Sequence, residues 1–195
     1  MPDLIRCPWA LADPLSQKYH DAQWGVPNHD DRELFKYLNL EGQQAGLAWI
    51  TILRKMDTLT EAFDGFDPEI IAQYDESKID RLLLNPGIIR NRLKTRAVVS
   101  NAKAYLKLLE NGSSLDQLLW AYVDGTPIVN HWAAGEIPPS STPLSDQISR
   151  DLKKLGFKFI GSTIIYSFLQ AMGLVNDHLD CCHFKNGPIP IKSDE

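Results

Sequence analysis

Asn85, Pro86 and Gly87 interrupt a stretch whose pattern is otherwise helical from residue 77 to residue 109, and this stop constrains the fold more than any other feature. Proline cannot continue a helix and glycine accepts the backbone angles that end one, so the chain must halt, turn and restart. KIDRLLL, with Ser77 as its cap, precedes the stop, IIRNR turns the corner, and LKTRAVVSNAKAYLKLL resumes as a long helix. The expectation is helix, tight hairpin over residues 85–92, helix. Other segments share the helical period. Asp13-Pro14, Asp67-Pro68 and Thr142-Pro143 each place a capping side chain before a first-turn proline, Asp30 and Glu33 form a capping-box-like start, and Ser114 or Ser113 opens SLDQLLWAYV. FKFIG allows a short strand, but Ile165, Phe168, Leu169 and Met172 follow the spacing of a buried helix. Residues 126–143 are rich in Pro, Ser and Thr and read as the one long surface loop. The expected class is all-α.

A chain of 195 residues can bury one good core or two lobes sharing one. The net charge of −5 argues against nucleic acid as a default partner. Against that sign, Arg90, Arg92, Lys94, Arg96, Lys103 and Lys107 follow one another with no acid between residues 89 and 107. Such a run is either a solvated helix face or, because it starts in a glycine-containing turn whose N–H groups suit a phosphate, a clamp for a DNA backbone. No apolar run reaches the roughly 18 residues of a membrane span, and MPDLIRCPWA lacks the basic-then-apolar design of a signal peptide. A cytoplasmic location without membrane contact is expected. Three cysteines are too few for a disulfide scaffold, which leaves thiol or metal chemistry.

Residues 40–53, LEGQQAGLAWITIL, hold polar residues and glycines that a core helix does not need. In a continuous helix Glu41, Ala45 and Trp49 would share one face. Gly42 and Gly46 each cost about 1 kcal/mol in a helix interior, so either the helix breaks there or something approaches the backbone. Both readings point to a pocket; the plain alternative makes Glu41 a cap and Trp49 core. Trp9, Trp24, Trp49 and Tyr19 near one carboxylate would box a flat, electron-poor or cationic ring, although each tryptophan taken singly reads as core. His178 and Cys182 stand four apart, so one helical turn aims both at one point, and Cys7 with His20 would complete a tetrahedral Cys2His2 set. Cys181 and His183 are adjacent alternatives, and unrelated buried thiols and histidines are the plain reading.

RCPW, DPL…YHDAQWGVP, LEGQQAGLAWITIL, NPGIIRNRLK, GFKFIGSTIIYSFLQAMGLVNDH and the closing CC resemble the DNA-3-methyladenine glycosylase I family, the constitutive alkylation-repair glycosylases of bacteria, from Cys7 to Cys182. The resemblance implies an all-α fold of the helix-hairpin-helix DNA glycosylase superfamily, with one structural zinc on Cys7, His20, His178 and Cys182 joining the terminal segments. It implies a single unit over residues 1–195, with a helix-hairpin-helix lobe over 27–125, a zinc-clasped terminal lobe from 1–26 plus 142–185, and a polar tail over 186–195. Glu41 matches the family's base-recognition carboxylate, Trp49 and Tyr19 its pocket aromatics, and Trp9 and Trp24 aromatics around that pocket.

Two departures stand out. Ser16 occupies a position where the family often carries a pocket tyrosine, and the catalytic aspartate of the wider superfamily has no substitute in Glu110 or Asp116. A purine methylated at N3 is cationic, so its glycosidic bond breaks without strong acid assistance. The implied activity is monofunctional excision of 3-methyladenine from double-stranded alkylated DNA, by a monomer acting at the nucleoid. The hairpin, through Gly87, Ile88, Ile89, Arg90, Arg92 and Lys94, would hold the backbone, Gly46 and Leu47 would enter the gap in the duplex, and the flipped base would stack over Glu41. Free 3-methyladenine is the product. A DNA-binding module, a zinc hydrolase and a binder of free cationic purines are the alternatives.

Overall fold

The computed structural model describes residues 4–189, so the expected polar tail lies outside the described residues from position 190 onward. Local capping chemistry sets most of the elements. Asp13 accepts from the Leu15 amide and opens α1 (Pro14–Ala22), and Asp30 accepts from the amides of Arg32 and Glu33 and opens α2 (Asp31–Gln44). Only half of the expected box forms at α2: Glu33 binds Lys36, and the Asp30 amide donates to Asn28 instead. The short helices α3 (Trp49–Leu53), α4 (Met56–Ala62) and α5 (Pro68–Ile71) follow, the last capped by Asp67. Helix α6 (Glu76–Leu84) is capped by Asp75, whose carboxylate accepts from the Lys78 amide at 2.7 Å. Ser77, the expected cap, lies inside the helix and its hydroxyl accepts from Arg81.

After the stop at residues 85–91, Asn91 caps the long helix α7 (Arg92–Glu110), and Ser114 caps α8 (Leu115–Trp120). Residues 126–142 hold the expected long loop, with one addition. Its β1 (Ile128–Val129) pairs in parallel with β2 (Val175–Asn176), Ile128 opposite Val175, so two short strands join the helices among the described residues. A reciprocal Thr142–Ser145 capping box starts α9 (Pro143–Lys154), and FKFIG leads without a strand into α10 (Ser162–Ala171). Among the described residues, no helix is long and apolar enough to cross a membrane.

Helix α2 is the axis of the packing. It touches α3, α7, α8 and α10, and it buries Leu34, Phe35, Leu38 and Leu40 completely. Each such side chain contributes about 1.5–3 kcal/mol relative to exposure. A buried polar seam fixes its far end: Asn101 on α7 donates to Asn39 at 2.9 Å and accepts from the Lys158 amide at 2.7 Å. This seam brings residues 158–159 against α2 one turn before its end. An added Cβ at Gly42 would lie 3.2 Å from the Phe159 carbonyl oxygen, which accounts for the glycine by close approach.

Candidate functional site

The continuous helix expected through residues 41–49 is broken. Helix α2 stops at Gln44, Gly46 takes φ +77°, and Trp49 begins α3, so Glu41 and Trp49 reach one cavity from two helices rather than from one face. Lys94 holds the break. Its ammonium donates to the carbonyls of Gln43 and Ala45 at 2.8 and 2.7 Å, satisfying the end of α2, and it is only 6% exposed. The expectation that Lys94 faces DNA phosphates is thereby corrected: burial at a helix C-terminus takes it off the basic face.

The cavity has a volume of about 470 Å³. Trp9, Tyr19, Trp24, Glu41, Gln44 and Trp49 line it together with the loop residues 136–139 and with Ser167, Gln170, Asp177 and Leu179 from later in the chain. The Tyr19 and Trp49 rings lie 5.4 Å apart, Trp9 and Trp24 5.1 Å apart, so the aromatic group expected from the sequence is brought together. Three carboxyl groups and no Lys, Arg or His line the space. Two polar atoms in its walls are buried without a hydrogen-bond partner: Oε2 of Glu41 and the indole Nε1 of Trp49. Burial alone pushes the Glu41 carboxyl up to about 8. No hydrogen-bond donor reaches Oε2 among the described residues, so nothing offsets the burial that disfavours the charged carboxylate.

Asp177 is wired differently. Asn130 and Trp132 donate to one oxygen, at 2.7 and 2.8 Å, and Tyr166 and Gln170 to the other, at 2.6 and 2.7 Å. With all four positions taken it is a buried anchor between the long loop and α10. Asp116, among the acids weighed as catalytic, pairs with His29 at 2.7 Å and does not line the cavity. Ser16 is buried yet lies outside the main cavity; with Trp9 and Trp49 it lines a separate space of about 300 Å³.

Beside the cavity, Cys7, His20, His178 and Cys182 converge, all buried, with ligand atoms within 4.8 Å of one another. Cys182 Sγ lies 3.4 Å from His178 Nδ1 and 3.6 Å from His20 Nε2, and Cys7 Sγ lies 3.7 Å from His178 Nδ1. Tetrahedral zinc with S at about 2.3 Å and N at about 2.0 Å sets its ligand atoms about 3.3–3.8 Å apart, so the group fits such an ion. The outward nitrogens are committed too: His20 Nδ1 bonds Asp21 at 2.8 Å, Asp21 is gripped by Arg6, and His178 Nε2 bonds the Trp24 carbonyl at 3.1 Å. These bonds fix the tautomers that leave Nε2 of His20 and Nδ1 of His178 as ligands. Hydrogen bonds from the Cys7 thiol and both imidazoles hold the Cys182 thiol well below the ordinary thiol range, toward the thiolate form that binds metal. Cys181 is exposed, which settles Cys182 as the cysteine of the group. The four-residue spacing works through a turn, Cys182 amide to Leu179 carbonyl, not through the expected helix.

The basic face is smaller than the sequence implies. Arg92 pairs with Asp80 and Glu76, and Arg96 with Glu76, all from α6. Arg90 is exposed at the turn and makes no ion pair among the described residues. The Gly87 and Ile88 amides are spent on Asn85, at 2.7 and 3.4 Å. Leu47 and Gly46 stand exposed near the cavity wall. Sequence reasoning missed Gln44, Ser167, Gln170, Asp177 and residues 136–139; of these, only Asp177, an acid inside the apolar run before His178, carried a local signal.

Residues 9–186 match the family described as Methyladenine glycosylase. DNA-3-methyladenine glycosylase 1 of Escherichia coli strain K12 is 46% identical over 185 residues, covering 94% of this chain and 99% of that protein. A crystal structure of 3-methyladenine DNA glycosylase I superposes with a TM-score of 0.90 at 50% identity, over 92% of this chain and 98% of the other. A structure from Staphylococcus aureus, described as the basis of 3-methyladenine recognition, gives a TM-score of 0.89 at 41% identity, over 92% and 96%.

Proposed function

The chain belongs to the methyladenine glycosylase family, and we infer from that premise that it hydrolyses the N-glycosidic bond of 3-methyladenine in alkylated DNA, releasing the free base for base-excision repair. The single observation that carries the assignment to this cavity is the pair of orphaned atoms, Glu41 Oε2 and Trp49 Nε1, in an aromatic space without a cationic side chain. Such atoms cost about 1–3 kcal/mol each until a ligand meets them.

The flipped base enters between Trp49, Tyr19 and Trp9, with Trp24 behind them, and Glu41 reads its polar edge. A cationic base lowers the Glu41 pKa on entry, so its proton leaves and the carboxylate faces the charge. Neutral adenine brings no such charge and leaves Glu41 protonated. Cation–π contact, about 1–2 kcal/mol per desolvated ring, acts in the same direction. When the bond between the base and C1′ breaks, its electron pair stays with the base, which becomes neutral. Water adds to C1′, the hydroxyl remains on the sugar, and the proton passes to solvent. The neutral product has lost the charge that held it. No amine nucleophile lines the cavity, and strand cutting is not expected.

Around this centre, the reading keeps the two-lobe division of residues 27–125 against 1–26 plus 142–185 and a helix-hairpin-helix role for α6, residues 85–92 and α7. Arg90, Arg92 and the turn amides of Ile89 and Arg90 hold the duplex backbone, with Gly87 and Ile88 shaping the turn, while Leu47, 39% exposed beside Gly46, enters the gap left by the flipped base. A structural zinc on Cys7, His20, His178 and Cys182 fills all four positions with protein ligands, so it would clasp the chain ends and take no part in hydrolysis. Ser16, behind Trp9 and Trp49, widens the space beside the stacking wall. The protein acts as a cytoplasmic monomer at the nucleoid. Incubation with methylated duplex DNA, followed by chromatography of released bases, tests the reading: 3-methyladenine should appear without strand breaks. DNA bound with no base released would leave only a binding module.

A further inference from the structure

Helix α4 has no part in the cavity or in the cluster of cysteines and histidines, yet its first turn meets the turn at residues 85–91. The ammonium of Lys55, the residue that precedes α4, donates to the Pro86 carbonyl at 2.6 Å. One turn on, the Thr58 hydroxyl donates to the Gly87 carbonyl at 2.8 Å. The contact is close: a Cβ on Gly87 would stand 3.0 Å from Thr58 Cβ and 2.9 Å from Asn85 Oδ1. Two successive carbonyls are thus tied to one side, and the Gly87 and Ile88 amides of the same peptide planes turn the other way, onto Asn85. The next two amides, Ile89 and Arg90, have no backbone acceptor among the described residues.

We propose that Lys55 and Thr58 are positioning residues for DNA binding: by pinning the Pro86 and Gly87 carbonyls they fix the two peptide planes that enter the turn, and with them the direction in which the chain presents the next amides, Ile89 and Arg90, and the Arg90 guanidinium to one backbone phosphate. This deepens the reading above and rests on its hairpin. A turn of this length without regular structure otherwise samples several peptide orientations, and ordering it on binding costs affinity. Lys55 acts on protein, not on DNA, which separates it from the arginines. A lysine that contacts phosphate releases a counterion; a lysine that holds a carbonyl does not.

The test measures Kd for a duplex carrying a stable abasic-site analogue, across salt concentrations, for Lys55→Met, Thr58→Val and Arg90→Glu. Lys55→Met should weaken binding about tenfold, and Thr58→Val about threefold, as expected for charged and neutral hydrogen bonds. For both, the slope of log Kd against log salt and the affinity for free 3-methyladenine should stay at the wild-type values, a result that general loss of structure would not give. A Lys55→Met slope reduced by about 0.9 would make Lys55 a direct phosphate ligand and overturn the proposal. Wild-type Kd in Lys55→Met, with Arg90→Glu clearly weakened, would overturn it while sparing the hairpin. Wild-type Kd in Arg90→Glu would remove the hairpin reading itself. If Lys55→Met fails to fold, Thr58→Val and Lys55→Arg, which keeps a cationic donor and should bind within about twofold of wild type, carry the same test.

Discussion

The cysteine–histidine cluster and the aromatic cavity share a wall, since Cys7 and Leu179 line the cavity and Cys7 is also one of the four clustered side chains. They treat buried polar atoms in opposite ways. In the cluster, each histidine nitrogen that faces away is bonded, to Asp21 or to the Trp24 carbonyl, and Asp21 is held in turn by Arg6. In the cavity, Glu41 Oε2 and Trp49 Nε1 have no partner. A fully satisfied buried network is rigid and specifies one arrangement, whereas an unsatisfied one stores a cost that a ligand can relieve. The contrast separates a cluster whose polar atoms are all engaged from a cavity that leaves two of them for a ligand to meet.

Breaking the fastening should have the largest effect. Cys182→Ser removes one of the four side chains proposed to hold zinc between the N-terminal strip and the segment after β2, where Ile5 and His183 also bond each other. Expected losses are about 5 kcal/mol of stability, a fall in Tm of about 10–20 °C, and loss of bound metal by elemental analysis. A variant that melts like wild type with no metal in either protein would remove the zinc from the account.

The cavity should respond in the other direction. The folded state raises Glu41 from 4.5 to about 8, so its contribution to stability is fully present below pH 4.5 and is lost as pH rises through 8. Across that window the wild type should lose about 5 kcal/mol attributable to this group. Glu41→Gln, uncharged throughout, should be flat there and the more stable protein at pH 9 by denaturant titration, while base release falls at least about 100-fold. Parallel pH profiles for the two proteins would show that Glu41 is not held as described. The smallest change belongs to Ser16→Tyr. An added ring in the space of about 300 Å³ beside Trp9 and Trp49 should tighten free 3-methyladenine about threefold, read by fluorescence titration.

Much of this molecule is legible locally. Asp13, Asp30, Asp67 and Thr142 cap the helices they were expected to open, and of Ser113 and Ser114 it is Ser114 that caps α8, because cap and first turn are neighbours in sequence. Where two good caps lie close, as Asp75 and Ser77 do, local pattern does not choose between them. The β1–β2 pair joins residues 47 positions apart and leaves no mark in either segment. Lys94 shows the limit best: its charge reads as solvent- or phosphate-facing, and only the point where α2 ends decides that it caps carbonyls instead. The part of the cavity lined by Glu41 was readable because Glu41 and the glycines are out of place in an apolar run. Residues 136–139 and Gln170 come from a loop and a distant helix and look ordinary where they stand.

If the orphaned pair awaits the base, the indole N–H groups report on it directly. Trp120 Nε1 already donates to the Asn28 carbonyl and Trp132 Nε1 to Asp177, so these two serve as internal controls for Trp49. In a titration of the protein with 3-methyladenine followed by proton–nitrogen correlation NMR, the Trp49 indole signal should move far downfield as it gains an acceptor, with Trp120 nearly still. A Trp49 signal that stays in place while the base binds would contradict the account.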